Sequence, residues 1–193
     1  MSSVRHDVHD EAWLRQRSAA GLDKFDEVWN GVLHVVPPPS GPHQLLSTSL
    51  AVAMHERARS RGLLLSMETG LFDPGRRSND YRTPDLSVYR PQNASVRGID
   101  GRAELVVEVR SPNDETYEKF PFYAAQEVQE ILVIHPDTRR FELYRLNGAD
   151  YVVTEADEAG VVTIVSLDIG LATVATDDGP RLSVTVDDVT THV

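Results

Sequence analysis

One acidic residue interrupts the most hydrophobic strand that the sequence predicts. Residues 105–109 read LVVEV, an apolar run broken only by Glu108. Near-continuous apolar runs of this kind are typical of strands buried on both faces of a sheet. A buried carboxylate is unfavourable unless it is paired or bound to a metal. The run therefore predicts a sheet covered on both faces, and it requires a partner for Glu108.

A second acid, Asp85, follows Pro84 at the start of another apolar segment. Two carboxylates from neighbouring strands can meet at one point, and their repulsion then makes a divalent cation the natural third partner. Such a cation takes oxygen ligands and can activate water beside a phosphodiester. The alternative is structural: Glu108 pairs with an arginine, and Asp85 caps a turn.

Composition limits the chemistry of any metal site. The chain has no cysteine, which excludes disulfides, thiolate-bound zinc, iron–sulfur clusters and thiol nucleophiles. Oxygen ligands favour magnesium, manganese or calcium, and a His-rich zinc site is the alternative. No apolar run is long enough to span a bilayer, and the first residues lack the basic-then-apolar order of a signal peptide. We therefore expect a cytoplasmic protein with no membrane partner.

The charge distribution bears on nucleic-acid binding. The net charge is −11, which argues against a nucleic-acid partner because such proteins are usually basic. Residues 57–110, however, hold ten arginines and seven acids, whereas the rest of the chain holds nine basic and 23 acidic residues. Local potential matters more for binding than the sum. A basic binding face within residues 57–110 is one interpretation, and an uneven distribution without function is the other.

The order of elements predicts an α+β domain with a central sheet. Helices are predicted at 10–20, 41–61 and 116–126, the last shortened or kinked by Pro121. A hairpin is predicted within 25–36 around Asn30-Gly31, and residues 76–79 are expected to form an exposed loop tip. Further strands are predicted at 63–72, 84–89, 104–109, 130–134, 140–146, 151–154, 161–165, 171–174 and 182–186. The length suits one domain over residues 1–193, with its core at about 25–146.

Several motifs, in this order, resemble the Uma-type restriction endonucleases, a family of the PD-(D/E)XK nuclease superfamily. They are Thr83-Pro84-Asp85, Glu108-Val109-Arg110-Ser111-Pro112, Lys119, Tyr123 with two alanines, and the segment 130–137 ending in His135-Pro136-Asp137. Upstream, Asn30-Gly31, the prolines at 37–39 and His43 resemble the usual opening of that family. The likeness spans roughly residues 25–146.

The resemblance implies a restriction-endonuclease-like fold, in which helices flank a mixed central β-sheet, here with additional C-terminal β-strands. It implies Mg²⁺ or Mn²⁺ bound by Asp85, Glu108 and the carbonyl of Val109. It also implies hydrolysis of phosphodiester bonds in DNA. A homodimer is expected, because nucleases that cut two strands are commonly dimeric.

The third signature position departs from the superfamily, which has Lys there, whereas this chain has Arg110. Arginine is permanently charged and a poor base, although it can stabilise a transition state electrostatically. Lys119 on the following helix is the better candidate for the catalytic lysine. The structural alternatives are a salt bridge for Arg110 and a solvated helix position for Lys119. The departure leaves open a second function, that of a catalytically impaired nuclease-fold binding or interaction module.

Three further residues are weaker candidates. Glu27 is a possible additional acid near the metal, but a surface charge is favoured. His43 begins the long helix, where it can contact a phosphate, although a packed or solvated histidine is more common. Tyr123 either positions Lys119 or packs in the core, and the core is favoured.

Overall fold

A computed structural model describes residues 4–7, 11–76, 80–111 and 114–193. Its helices are α1 (Glu11–Ala19), α2 (Gly41–Ser60) and α3 (Phe120–Ala125). Short 3₁₀ helices occupy Pro91–Asn93 and Thr116–Lys119. The first two predicted helices are confirmed, apart from residue 10, which lies outside the described residues. The third becomes α-helical only at Phe120, because Pro121 lacks an N–H and therefore fits the first turn of a helix rather than its interior.

The strands form three sheets within the described residues, with orders β1-β3-β2-β6-β5-β9-β8, β13-β12-β11-β10-β7-β4 and β14-β15-β16-β17. Their bounds are β1 Val4–Asp7, β2 Glu27–Trp29, β3 Val32–Val35, β4 Leu64–Met67, β5 Leu71–Phe72, β6 Tyr81–Arg82, β7 Leu86–Tyr89, β8 Ala94–Ser95, β9 Gly98–Asp100, β10 Leu105–Val109, β11 Glu130–Ile134, β12 Phe141–Asn147, β13 Asp150–Val153, β14 Val162–Ile164, β15 Ile169–Thr176, β16 Gly179–Val186 and β17 Val189–His192.

The six-stranded sheet is the mixed central sheet that was expected. Strand β10 pairs in parallel with β11 and antiparallel with β7. All five residues of β10 are buried, and so are all five of β11. The apolar run at 105–109 therefore does form a strand covered on both faces.

The two faces of β10 enter different cores, because successive side chains in a strand alternate. Leu105, Val107 and Val109 pack with α2 and the C-terminal sheet. Val106 packs instead with the residues of α3. Glu108 has the same parity as Val106, so the pleat directs its carboxylate towards α3.

The predicted strand at 63–72 is divided between two sheets. Strand β4 pairs with β7 in the central sheet, whereas β5 pairs with β6 and β9 in the seven-stranded sheet. The chain changes direction at Glu68, whose φ is 49°. Residues 77–79 of the expected loop tip lie outside the described residues. The short strands β1, β6, β8, β9 and β17 were not predicted, because their segments lack the apolar runs on which the other strands were predicted.

The additional C-terminal strands fold as an antiparallel sheet that shares a core with α2. Arg57 on α2 fastens this sheet: its Nε donates to the carbonyl of Leu167 at 2.8 Å, and its NH2 lies 2.6 Å from Asp168 Oδ2. Within the described ranges, no helix has both the length and the hydropathy that a bilayer crossing needs.

Candidate active site

The acids and the lysine singled out from the sequence line one cavity of about 350 Å³. The cavity lining includes Asp85, Glu108, Val109 and Lys119, together with Glu27. It lies where the hairpin β2–β3, the start of α2, the end of β10 and the 3₁₀ helix before α3 come together. Residues that are distant along the chain thus meet at one site.

Asp85 is held against the end of β10. Leu86 pairs with Val107, and this register, extended by one residue, sets Asp85 opposite Glu108. The Asp85 Oδ2 atom accepts a hydrogen bond from Val109 N at 2.7 Å. The carboxylate therefore does not merely cap a local turn but bonds across the strand pair.

His43, in the first turn of α2, contacts both Asp85 and Val109. Ser40 caps this helix by accepting from His43 N, and the ring Nε2 lies 2.8 Å from the carbonyl of Val109 and 3.3 Å from Asp85 Oδ2. Burial lowers the pKa of His43, but the hydrogen bond and the charge of Asp85 outweigh it, so the net shift is upward. His43 is therefore a packed histidine, one of the two more common cases considered above. It packs on Asp85 and Val109, which are candidate metal ligands.

Glu108 is 5% exposed, and both of its carboxylate oxygens have hydrogen-bond partners. Lys119 Nζ lies 3.1 Å from both of its oxygens, and Tyr123 OH donates to Oε1 at 2.5 Å. The net pKa of Glu108 is raised to about 7: burial is the largest cause, the charges of Asp85 and Glu27 also raise it, and Lys119 and the hydrogen bond from Tyr123 lower it. The predicted need for a partner is met by Lys119 and Tyr123 rather than by an arginine. Tyr123 is both fully buried and a direct contact of the site.

Lys119 is a buried cation between two carboxylates. Its Nζ lies 3.0 Å from Glu27 Oε1 as well as 3.1 Å from Glu108, and 13% of its side chain is exposed. Burial lowers the pKa of Lys119, but the charges of Glu108 and Glu27 outweigh it and raise the pKa above its ordinary value. The alternative of a solvated helix position is wrong for Lys119.

The favoured interpretation of Glu27 as a surface charge is wrong. Glu27 is 2% exposed, and besides Lys119 it accepts hydrogen bonds from Trp29 Nε1 at 2.7 Å and Thr83 N at 2.8 Å. Glu27 lies in the predicted opening strand, and no local feature of the sequence distinguishes it from the neighbouring Asp26. Only the pairing of β2 with β3 and β6 reveals which of these acids faces Lys119.

Arg110 lies apart from this cluster. Its Nε is 3.4 Å from Asp114 Oδ1, and its guanidinium stands 5.0 Å from the centre of the Tyr117 ring. It is not among the residues that line the cavity. The contact with Asp114 is the salt bridge considered as its alternative role, so a catalytic role for Arg110 gains no support. Pro112 and Asn113 of the same motif lie outside the described residues.

Most of the described arginines in the arginine-rich region are paired with acids. Of the nine that the structure describes, seven form ion pairs within the protein, namely Arg57, Arg59, Arg61, Arg82, Arg90, Arg102 and Arg110. Arg82 is the most buried of these, with its guanidinium 4.4 Å from the Trp29 ring and 4.1 Å from the Phe122 ring. The local excess of arginine therefore serves the fold, and the basic-face interpretation is weakened.

The donor set fits a hard divalent cation that takes two side-chain ligands. Among the described residues, no three Asp, Glu or His side chains are grouped as a complete metal site. The carboxylates of Asp85 and Glu108 and the carbonyl of Val109 are nevertheless the oxygen donors that such ions prefer, with water completing the shell. Three carboxylates near one ammonium leave excess negative charge, and this charge adds to burial in raising the pKa of Glu108. A cation would relieve that excess.

A mixed central sheet with Asp85 immediately before β7, Glu108 on the adjacent β10 and Lys119 at the end of the 3₁₀ helix before α3 is the arrangement expected of a restriction-endonuclease-like fold. The chain belongs to the Uma2 family, described as "Putative restriction endonuclease", which matches residues 16–177. The resemblance seen in the sequence is therefore confirmed. Membership of this family supports a nuclease-like function.

One solved structure shows the same fold. It is the crystal structure of a "putative nuclease" from Anabaena variabilis, similar with a TM-score of 0.59 and 17% sequence identity. The match covers 74% of this chain and 83% of that chain. A comparison with curated proteins gave no match.

Proposed function

We propose that this protein is a metal-dependent endonuclease that hydrolyses phosphodiester bonds in DNA. The observation that carries the proposal is the convergence of Asp85, Glu108 and Lys119 on one cavity. Family and fold give the nuclease class, and the oxygen donors of this cluster favour Mg²⁺ or Mn²⁺ as the cofactor.

The carboxylates of Asp85 and Glu108 and the carbonyl of Val109 are the groups that would hold the ion. When bound, the ion supplies an acidified water and neutralises charge on the phosphate. His43 and the Val109 N–H fix Asp85, while Tyr123 fixes Glu108. These contacts keep both carboxylates in place before substrate arrives, which is how preorganised sites gain rate.

Lys119 acts as a fixed positive charge in this mechanism. Because its pKa is raised by the two carboxylates, the ammonium keeps its proton at neutral pH and does not serve as the base. It can orient the attacking water or stabilise the extra charge on the phosphate in the transition state. The raised pKa therefore favours an electrostatic role over proton abstraction.

Cleavage of DNA by the full chain, with Mn²⁺ or Mg²⁺ and with a chelator added, tests the proposal. Activity that requires the metal and disappears in Asp85→Asn supports it. Asp178→Asn, a change of an exposed acid on the turn between β15 and β16, is the matched control. Full metal-dependent activity in Asp85→Asn would falsify the assignment of the site.

The second candidate is a catalytically impaired binding module on the same fold. The position of Arg110, paired with Asp114 instead of lying in the cavity, favours it. Calorimetric titration with Mn²⁺ separates the two functions, since an impaired module should bind the metal weakly or not at all. A homodimer remains a prediction, which sedimentation at several protein concentrations tests.

A further inference from the structure

The carboxylates at the candidate site are recessed. Glu27 is 2% exposed and Glu108 is 5% exposed, and they lie at a cavity of about 350 Å³. A cavity of this size admits a nucleotide-sized group. It does not admit a base-paired duplex, whose major groove alone is about 12 Å wide. A phosphate therefore reaches Glu108 more readily from a strand that can leave the duplex.

One part of the cavity lining is apolar and suited to a base. Phe25, Val36 and the three prolines at 37–39 contribute to it. Trp29 and His34 also line the cavity, but their rings are stacked on each other at 4.0 Å, and the guanidinium of Arg82 stands over Trp29 at 4.4 Å. Among the described residues no aromatic ring is stacked on Phe25, and the group over its ring is the ammonium of Lys24, whose side chain is 65% exposed. Phe25 is therefore the aromatic group that a base can reach by displacing a mobile surface side chain rather than a stacked ring.

The charge of the lining limits how many phosphates can approach. Among the described residues that line it are six carboxylates, those of Glu27, Glu68, Asp85, Glu108, Asp114 and Glu115, and one lysine, Lys119. At the rim, Lys24 Nζ lies 4.8 Å from the centre of the Phe25 ring and 3.0 Å from Glu68. A run of duplex phosphates would be repelled here, whereas a neutral base with a single phosphate meets less repulsion. Exocyclic amino groups of bases are also suitable donors to carboxylates.

We propose that this cavity receives one unpaired nucleotide, with its base against Phe25 and the prolines at 37–39. The preferred substrate is then DNA that is single-stranded or contains an unpaired base, rather than a continuous duplex. Extrusion of a base into an apolar pocket is favoured where the base is already unpaired, because no pairing must be broken. This inference rests on the proposed nuclease function.

Three labelled DNA substrates test the inference: a single strand, its fully paired duplex, and the same duplex with one bulged base. Cleavage is measured in Mn²⁺, and binding is measured by fluorescence anisotropy in Ca²⁺. We expect the single strand and the bulge to be preferred by about tenfold or more, the scale of one base–aromatic stacking contact. Phe25→Leu should abolish the preference, and Phe25→Tyr should retain it. Phe141→Leu, at a half-buried phenylalanine on β12, controls for general destabilisation.

These measurements distinguish failure of the unpaired-nucleotide proposal from failure of the proposed nuclease function. Cleavage of the duplex as fast as the single strand, or a preference unchanged in Phe25→Leu, overturns the inference and leaves the nuclease function standing. If no substrate is cut in Mn²⁺, the nuclease function fails, and the Ca²⁺ binding data still decide on the cavity. Tighter binding of unpaired DNA that depends on the ring at residue 25 supports the inference, and equal binding overturns it.

Discussion

The ammonium of Lys119 and the carboxylate of Glu27 form an ion pair of 3.0 Å within the protein, with 13% and 2% of the two side chains exposed. This contact joins the opening hairpin to the segment that leads into α3. It also places a third carboxylate beside the two that the sequence had indicated. The site is therefore a network of buried charges whose members depend on one another.

Loss of the buried ammonium of Lys119 should lower the free energy of unfolding more than loss of the exposed ammonium of Lys24. Lys119→Met leaves Glu27 and Glu108 buried without their shared cation, and such changes cost about 3–5 kcal/mol. Adding Glu27→Gln to this variant should restore part of the loss. Lys24→Met is the matched control, because Lys24 is 65% exposed and pairs with Glu68 at the surface, where the effect should be below about 1 kcal/mol. Urea denaturation measures all four proteins; equal losses for the two lysines would contradict the prediction.

Metal binding should stabilise the fold in proportion to the charge of the carboxylate cluster. We expect Mn²⁺ to raise the melting temperature of the natural protein, since a ligand that binds only the folded state stabilises it. Asp85→Asn should lose most of this increase while remaining folded, because an amide oxygen can still accept the hydrogen bond from Val109 N. Differential scanning fluorimetry with and without chelator gives the comparison. An undiminished increase in the variant would show that the ion binds elsewhere.

The indole N–H of Trp29 should contribute to stability and activity, because it donates a hydrogen bond to Glu27. Trp29→Phe keeps a ring between His34 and Arg82 but removes the donor to Glu27 Oε2. A hydrogen bond to a charged group contributes about 1.5–3 kcal/mol, so we expect a loss of stability in that range and weaker activity. Chemical denaturation and the cleavage rate are the two readouts. Unchanged values of both would mean that Glu27 is held by its other partners alone.

Gly98 should not tolerate a side chain. Its φ is 146°, and a Cβ atom there would lie 2.3 Å from the carbonyl oxygen of Gly70, which bonds the next residue of β9. We expect Gly98→Ala to cost at least about 2 kcal/mol. Gly148→Ala is the control: its φ is 67° with nothing within 4 Å of the added Cβ, so only about 1 kcal/mol of backbone strain applies. Thermal unfolding distinguishes the two.

Glu142 should contribute to the loss of stability in acid. Burial raises its pKa, but hydrogen bonds from Tyr144, Tyr117 and His135 outweigh burial, and the net pKa lies below its ordinary value of 4.5. A carboxyl with a lowered pKa in the folded state stabilises the fold above its unfolded pKa, and this contribution is lost as the pH falls through the folded pKa. Glu142→Gln should therefore flatten the decline of stability below about pH 4.5. The effect should be modest, because 35% of the side chain is exposed. Melting temperatures across pH 2–7 provide the test, and parallel curves would rule the contribution out.

The elements that carry the strongest local signals could be predicted from the sequence. The apolar run at 105–109 specified a doubly covered strand, and the helix α2 followed from its periodic apolar residues. Asn30-Gly31 specified the hairpin, because that pair adopts the positive φ values the turn needs. The family likeness added Asp85, Glu108 and Lys119 as a set. Each of these depends on residues close together in the chain or on a fixed order of motifs.

Only the tertiary structure decided how the charges are paired. Glu27 and Asp26 are adjacent acids, and the strand pleat sends one to Lys119 and the other to Arg17. Arg110 holds a signature position in the sequence yet pairs with Asp114. Local patterns determine which segments are strands and helices, because burial and backbone preference act residue by residue. The partner of a buried charge is instead set by strand pairing and packing between distant segments, which no local pattern encodes.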